Sequence, residues 1–147
     1  MGFIETNRII CFKKNLKGKK MNNFDNKYKE EVYNKWGQTK EYNEYANKTK
    51  NYSKDKWKSL NKAMIDIFKD FASYMINQNT FDSNITQDLV NKLQNHISEN
   101  YYLCTNEILL GLGKMYVHDE RFKNNIDKYA SGTAEYVFKA IEYYCNK

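Results

Sequence analysis

The chain has 147 residues, 41% of them hydrophobic, so it is long enough for one domain with a hydrophobic core. Its formal net charge of +6 is concentrated in residues 1–20, which hold six basic residues against Glu5 alone and leave the rest of the chain nearly neutral. Only Arg8 and Arg121 are arginines. Arginine is the side chain best suited to reading phosphates and base edges, so the composition argues against a nucleic-acid-binding surface.

Three cysteines, Cys11, Cys104 and Cys145, are an odd number at wide spacing, and only His96 and His118 could join them as metal ligands. This pattern indicates neither a disulfide framework nor a zinc site, and we expect no metal or other cofactor. The N-terminal stretch is too polar for a signal peptide, and no apolar run approaches a membrane span. We therefore expect a soluble cytoplasmic protein.

Helical periodicity dominates the sequence, which has no proline and no sustained alternation of apolar and polar residues. This pattern predicts an all-α bundle. Residues 1–23 are predicted to be a basic, flexible N-terminal segment, and residues 24–147 to form the folded domain. The first two predicted helices are short: one covers 28–36, and Thr39 caps a second that runs past Tyr45.

The later helices are each preceded by a residue that can cap an N-terminus, and polar turns separate them. The stretch HDERF, residues 118–122, is predicted to be one of these turns. The predicted elements are a long helix from Ser53 to about Asn77, one capped by Asp82 or Ser83 that runs to Tyr101, one capped by Thr105 that runs through Val117, and a last one that begins at Ser131 or Thr133.

Cys104 and the glycines that follow it are the first candidates for chemistry. A nucleophilic cysteine needs a base, and His96 lies about two turns away on the preceding helix, so a structural thiol is favoured. Gly111 and Gly113 match neither GxGxxG nor the phosphate-loop pattern. Because glycine costs about 1 kcal/mol relative to alanine inside a helix, we expect close helix packing or the approach of a ligand there.

Aromatic residues are unusually frequent, at 16% of the chain with 13 tyrosines. Trp57 and Phe68 share one helical face, which favours packing in the core. Trp36, Tyr42 and Tyr45 instead lie on short polar helices that cannot easily bury them. Aromatic faces without strong charge suit flat heterocyclic or peptidic ligands, so these side chains indicate a ligand site.

Three segments carry a resemblance to a known family. EEVYNKWGQTKEYNEY (30–45) resembles its pattern E-V-x-x-x-W-G-x-T-x-x-Y, and NYSKDKW (51–57) resembles S/T-Y-T-x-x-x-W. YYLCTNEILLGLGKMYVHDERF (101–122) resembles Y-x-C-x-x-E-M-x-x-x-L-G-x-M-Y-V-x-D-x-R-F. In this order the segments are similar to the TipAS antibiotic-recognition domain, the effector half of TipA-like regulators of the MerR family.

The resemblance implies a compact, globin-like helical fold around an aromatic-lined cleft that binds macrocyclic thiopeptides and related drugs. It implies that helices within residues 28–48 close over the ligand as a lid. In the family, a second cysteine seven residues after the first attacks the ligand; here Cys104 is followed at that distance by Gly111, so we expect noncovalent binding. The expected ligand-binding residues are Trp36, Tyr42, Tyr45, Trp57, Phe68, Tyr74, His96, Tyr101, Tyr102, Cys104, Gly111, Met115 and Phe122.

The preferred hypothesis is a stand-alone, non-enzymatic protein that sequesters thiopeptide-like or other aromatic amphipathic antibiotics. Because residues 1–23 are too few for the DNA-binding and coiled-coil parts of the regulators, we expect no direct DNA binding. The alternative is an effector module that lost its DNA-binding domain and acts through a protein partner. A third hypothesis is an enzyme that uses Cys104, which the lack of an accompanying base or metal set disfavours. The oligomeric state is left open.

Overall fold

A computed structural model describes the backbone of residues 40–147 and their side chains except that of Glu41. The predicted N-terminal segment 1–23, the predicted helix over 28–36 and Trp36 lie outside the described residues. The domain boundary at residue 24 therefore stays a prediction.

Helices are the only regular secondary structure between residues 40 and 147. The longest of them is the one that the sequence predicts from Ser53. The helices are α1 (Lys40–Thr49), α2 (Lys54–Ile76), α3 (Asn84–Asn100), α4 (Asn106–His118), α5 (Glu120–Asp127) and α6 (Thr133–Cys145).

Three helices begin at predicted caps. The side chains of Ser53, Ser83 and Thr105 accept hydrogen bonds from the backbone N–H three residues later, at the starts of α2, α3 and α4. Each cap residue has extended backbone, so its side-chain oxygen reaches an N–H that the helix itself leaves without a partner. The boundaries of these helices are therefore encoded locally.

The predicted HDERF turn is wrong, because a helix begins within it. The backbone turns only at Asp119, and α5 starts at the next residue. Asp119 Oδ1 accepts from the backbone N–H of Arg121 at 3.0 Å, and its Oδ2 lies 2.7 Å from the Arg121 guanidinium. The Asp119 carboxylate thus caps α5 and also forms an ion pair with Arg121. Because the composition of the stretch is polar, the sequence alone indicated a turn rather than a helix start.

The last helix begins at Thr133, as predicted, but neither Ser131 nor Thr133 caps it. Its N-cap is Gly132, whose φ of 92° lies in the left-handed region that glycine adopts at low cost. The side chain that caps α6 belongs to α5: Asp127 Oδ1 accepts a hydrogen bond from the backbone N–H of Ala134 at 2.8 Å. The last residue of α5 therefore caps the N-terminus of α6.

The core lies between α2, α3, α4 and α6, and its central pair is α4 against α6. A methyl group built on Gly113 of α4 would come within 3.0 Å of Phe138 and 3.4 Å of Ile141, both on α6. Gly113 therefore permits close approach of these helices, as predicted. The largest wholly buried side chains are Tyr101, Tyr102, Tyr116, Phe68, Phe71, Phe122, Met64, Ile67 and Leu93.

Candidate functional site

The predicted aromatic residues meet where α1 crosses the start of α2 and the end of α3. We call this group the Tyr101 cluster. Tyr101 is wholly buried and sits between two rings: Tyr45 of α1 at a centroid distance of 6.1 Å and Trp57 of α2 at 6.2 Å. Both pairs are close to parallel, with interplanar angles of 29° and 27°. The cluster consists of Tyr42, Tyr45, Tyr52, Trp57, His96 and Tyr101.

The ends of two helices position the central rings. Tyr101 follows the last residue of α3, and its backbone N–H donates to the carbonyl of Ile97 at 2.9 Å, which fixes its ring against the bundle. Trp57 lies in the first turn of α2, four residues after the cap Ser53. The helix boundaries thus place Trp57 near the start of α2 and Tyr101 at the end of α3, and the packing of α2 against α3 brings the two rings together.

Tyr52 belongs to the cluster, and sequence reasoning missed it as a site residue. Its ring packs edge-on against Trp57 at 5.5 Å, and its hydroxyl donates to the carbonyl of Asn100 at 2.8 Å. Tyr52 immediately precedes the cap Ser53, and Trp57 is the fourth helical residue. Apolar residues at these two positions commonly pack together at a helix start, so the spacing Tyr-Ser-x-x-x-Trp is a signal that could have revealed the contact.

Helix α1 covers one side of the cluster. Tyr45 is 7% exposed, and its ring also contacts Tyr42 at 6.2 Å. The exposed Lys48 Nζ lies 3.3 Å from the carbonyl of Ser98, next to the end of α3. Most other described side chains of α1 face solvent. Helix α1 is therefore a short surface helix, and short helices depend on tertiary contacts for their stability.

His96 contributes a titratable group at the edge of the cluster. Its ring meets Tyr101 edge-on at 5.9 Å. Burial lowers the pKa of His96, with Lys56 and Lys92 acting in the same direction, while the Leu60 carbonyl and Glu99 oppose the shift. No atom meets hydrogen-bond geometry at Nε2, so we regard the Leu60 carbonyl as a weak electrostatic contact. The neutral ring is favoured.

The phenol of Tyr101 is buried without compensation. Its hydroxyl has no hydrogen-bond partner among residues 40–147. Burial, with a smaller contribution from Tyr52, raises the pKa of Tyr101, so the group is a neutral hydroxyl at physiological pH. Buried tyrosine hydroxyls usually find a partner, so the hydroxyl of Tyr101 is available to a hydrogen-bond acceptor from outside the described chain.

The thiol of Cys104 lies at the junction between α3 and α4, where it is 3% exposed. Burial raises the pKa of Cys104 to about 12, with a smaller contribution from Cys145. Ser98 Oγ accepts from the Cys104 backbone N–H at 3.0 Å, and Gln94 Nε2 donates to its carbonyl at 2.9 Å. These contacts hold a protonated, shielded thiol.

The structure brings only some of the predicted ligand residues together. Tyr42, Tyr45, Trp57, His96 and Tyr101 belong to the Tyr101 cluster. The other predicted residues lie elsewhere. The ring of Phe68 contacts those of Phe71 and Tyr116, at centroid distances of 6.0 and 5.3 Å. Phe122 on α5 and Tyr102 after α3 are wholly buried, Tyr74 near the end of α2 and Met115 on α4 are half-buried, and Gly111 of α4 has open space where a side chain would project.

One further surface feature is a groove that shares His96 with the Tyr101 cluster. The groove, of about 490 Å³, lies between α2 and α3 and is lined by Asp66, Asp88, Glu99 and His96, among others. The described residues contain no group of three or more side chains able to hold a metal ion. No described helix is both long and apolar enough to cross a membrane. The Tyr101 cluster is therefore the candidate site.

A family model described as the TipAS antibiotic-recognition domain matches residues 28–144. The chain belongs to this family. The TipAS domain is 35% identical over 114 residues to the HTH-type transcriptional activators TipA of Streptomyces coelicolor and Streptomyces lividans, which covers 78% of this chain and 45% of each relative. It is 34% identical over 120 residues to the HTH-type transcriptional activator mta of Bacillus subtilis, covering 81% of the chain and 45% of that protein.

A solved structure of TipAS in complex with nosiheptide, from a thiopeptide antibiotic multidrug resistance system of Streptomyces lividans, is similar in fold. The TM-score is 0.73 at 34% sequence identity, over 82% of this chain and 83% of that one. The predicted all-α, globin-like fold is confirmed. The TipAS domain described here spans less than half the length of the transcriptional activators that it matches.

Proposed function

We propose that this chain binds thiopeptide-like or other aromatic amphipathic antibiotics noncovalently and sequesters them. The observation that carries the proposal is the Tyr101 cluster, formed by three elements of a TipAS domain whose solved relative is in complex with nosiheptide. Stacked aromatic rings offer flat apolar faces to heteroaromatic ligands. The site would act without catalysis, so protection would be limited by the amount of protein.

Noncovalent capture is supported at two positions. Cys104 is buried and its raised pKa of about 12 leaves almost no thiolate, which is the form that attacks. Seven residues later, where the family resemblance implies the attacking cysteine, the chain has Gly111 with open space in front of it. Cys104 and Cys145 are free thiols, which fits our expectation of a reducing, cytoplasmic location.

A second candidate function is that of an effector module within a regulatory system. It is favoured by the similarity to transcriptional activators, of which the chain matches 45%. In this case binding of the antibiotic would alter association with a partner. The distinguishing measurement is whether antibiotic changes the expression of a reporter gene only when this chain is present.

The direct test is a fluorescence titration with nosiheptide. Trp36 and Trp57 are the only tryptophans, so a Trp36→Phe variant leaves Trp57, in the Tyr101 cluster, as the single reporter. We expect saturable quenching of Trp57 and an unchanged intact mass after incubation. The control is a titration of the same variant with buffer that contains no antibiotic.

Two results would contradict the proposal. The first is that nosiheptide and other thiopeptides neither quench the fluorescence nor bind in calorimetry, which would exclude the proposed ligand class. A mass adduct that disappears in Cys104→Ala would show that capture is covalent after all.

A further inference from the structure

The hydroxyl of Tyr101 is a polar group at the centre of an otherwise aromatic cluster. The Tyr101 side chain is 0% exposed, and its hydroxyl makes no hydrogen bond to the described part of the chain. Burying a hydroxyl without a partner is unfavourable, because the group loses its hydrogen bonds to water. A phenylalanine would pack the same ring without this loss, so packing alone does not account for a tyrosine at this position.

Two other tyrosines of the domain, Tyr52 and Tyr136, have hydroxyls that are bound within the protein. Tyr52 donates to the carbonyl of Asn100 at 2.8 Å. Tyr136 donates to the carbonyl of Asn79 at 2.8 Å and lies 2.9 Å from Thr86 Oγ1. Both bind backbone carbonyls that a helix end or loop leaves available. The hydroxyl of Tyr101 differs from these two, because it has no such acceptor among residues 40–147.

The short surface helix α1 packs against Tyr101. The ring of Tyr45 on α1 stacks on the Tyr101 ring, as does the ring of Trp57 on the long helix α2. Apart from its buried positions at Tyr45 and Thr49, α1 presents exposed or half-buried side chains. A ligand ring that took the place of Tyr45 would stack on the Tyr101 ring, which carries the hydroxyl.

We propose that Tyr101 is a specificity-determining residue of the site and that its hydroxyl donates a hydrogen bond to an acceptor on the ligand. This inference rests on the proposed function and narrows the ligand class. The ligand presents a carbonyl oxygen or a ring nitrogen beside a flat heteroaromatic ring, as an azole-containing peptide does. Purely hydrocarbon aromatic compounds leave the hydroxyl without a partner and bind less well.

The test compares Tyr101→Phe with Tyr136→Phe, since both remove one hydroxyl from a tyrosine that packs in the fold. For Tyr101→Phe we expect about a tenfold loss of affinity for nosiheptide, the usual effect of one lost buried hydrogen bond, with a melting temperature of the free protein that is unchanged or higher. For Tyr136→Phe we expect the reverse: a lower melting temperature, because the contacts of its hydroxyl with Asn79 and Thr86 are lost, and unchanged affinity.

Two outcomes would overturn the inference while leaving the proposed function intact. One is unchanged affinity of Tyr101→Phe for nosiheptide. The other is a melting temperature of Tyr101→Phe that falls as far as that of Tyr136→Phe, which would show that the hydroxyl is bound within the protein. Failure of the wild-type chain to bind any thiopeptide is a separate result, and it would overturn the proposed function together with this inference.

Discussion

Cys104 shows how the environment of one side chain decides its chemistry. From the sequence, the thiol could be a nucleophile, a lining residue or part of the core. The fold places it after α3, 3% exposed, with its backbone held by Ser98 and Gln94. Burial raises the pKa of Cys104 to about 12, and a protonated thiol is a poor nucleophile. At residue scale, the structure favours a structural role.

We therefore expect Cys104 to react slowly with iodoacetamide. At pH 8, its modification should be about 100-fold or more slower in the folded chain than in urea, because folding removes both thiolate and access. Peptide mass spectrometry over time measures this rate at each cysteine separately. Cys145 is the internal comparison: it is only partly buried, although burial also raises its pKa. Equal rates for Cys104 with and without urea would contradict the structural role.

At the scale of single elements, α4 contains two glycines with different surroundings. A methyl group at Gly113 would lie 3.0 Å from Phe138 and 3.4 Å from Ile141 of α6, a tight fit, whereas nothing lies within 4 Å of one at Gly111. Both positions lie within the helix, where glycine is unfavourable. Gly113 is thus explained by packing of α4 against α6, and Gly111 has no packing explanation.

Gly111→Ala should raise the free energy of unfolding by about 0.5–1 kcal/mol, the difference in helix propensity. Gly113→Ala should raise the free energy of unfolding by less than Gly111→Ala does, or lower it. The same gain in helix propensity is opposed there by overpacking, which typically costs about 1–3 kcal/mol. Urea denaturation of the two variants measures the difference, and each serves as the control for the other. Equal stabilisation of both variants would contradict the close contact at Gly113.

At the scale of the whole molecule, the stability of the fold depends on pH through His96, which lines the groove between α2 and α3. Burial keeps the pKa of His96 below its ordinary value of 6.5. The unfolded chain therefore binds a proton at this residue at a higher pH than the folded chain does. Between these two pKa values the unfolded state binds more protons, so stability falls as pH falls below about 6.5.

The wild-type chain should lose more stability between pH 7.5 and pH 5.5 than His96→Gln does. The contribution of one group cannot exceed about 1.4 kcal/mol per pH unit. Urea denaturation at both pH values gives the two slopes. His118→Gln is the matched control, because His118 is exposed at the end of α4, and it should retain the wild-type slope. The same slope in His96→Gln as in wild type would contradict the role of His96.

The sequence by itself determined the helical class, the starts of α2, α3 and α4, and the family, because caps, periodicity and motifs are local patterns that a linear chain displays. Only the tertiary structure decided that Tyr101 packs against Tyr45 and Trp57 while Phe68 joins a different group, and that neither Ser131 nor Thr133 caps α6. These facts depend on how helices distant in sequence pack, and on side chains such as Asp127 that cap a neighbouring element. Local patterns do not encode such contacts, since many arrangements of the same helices bury similar apolar faces.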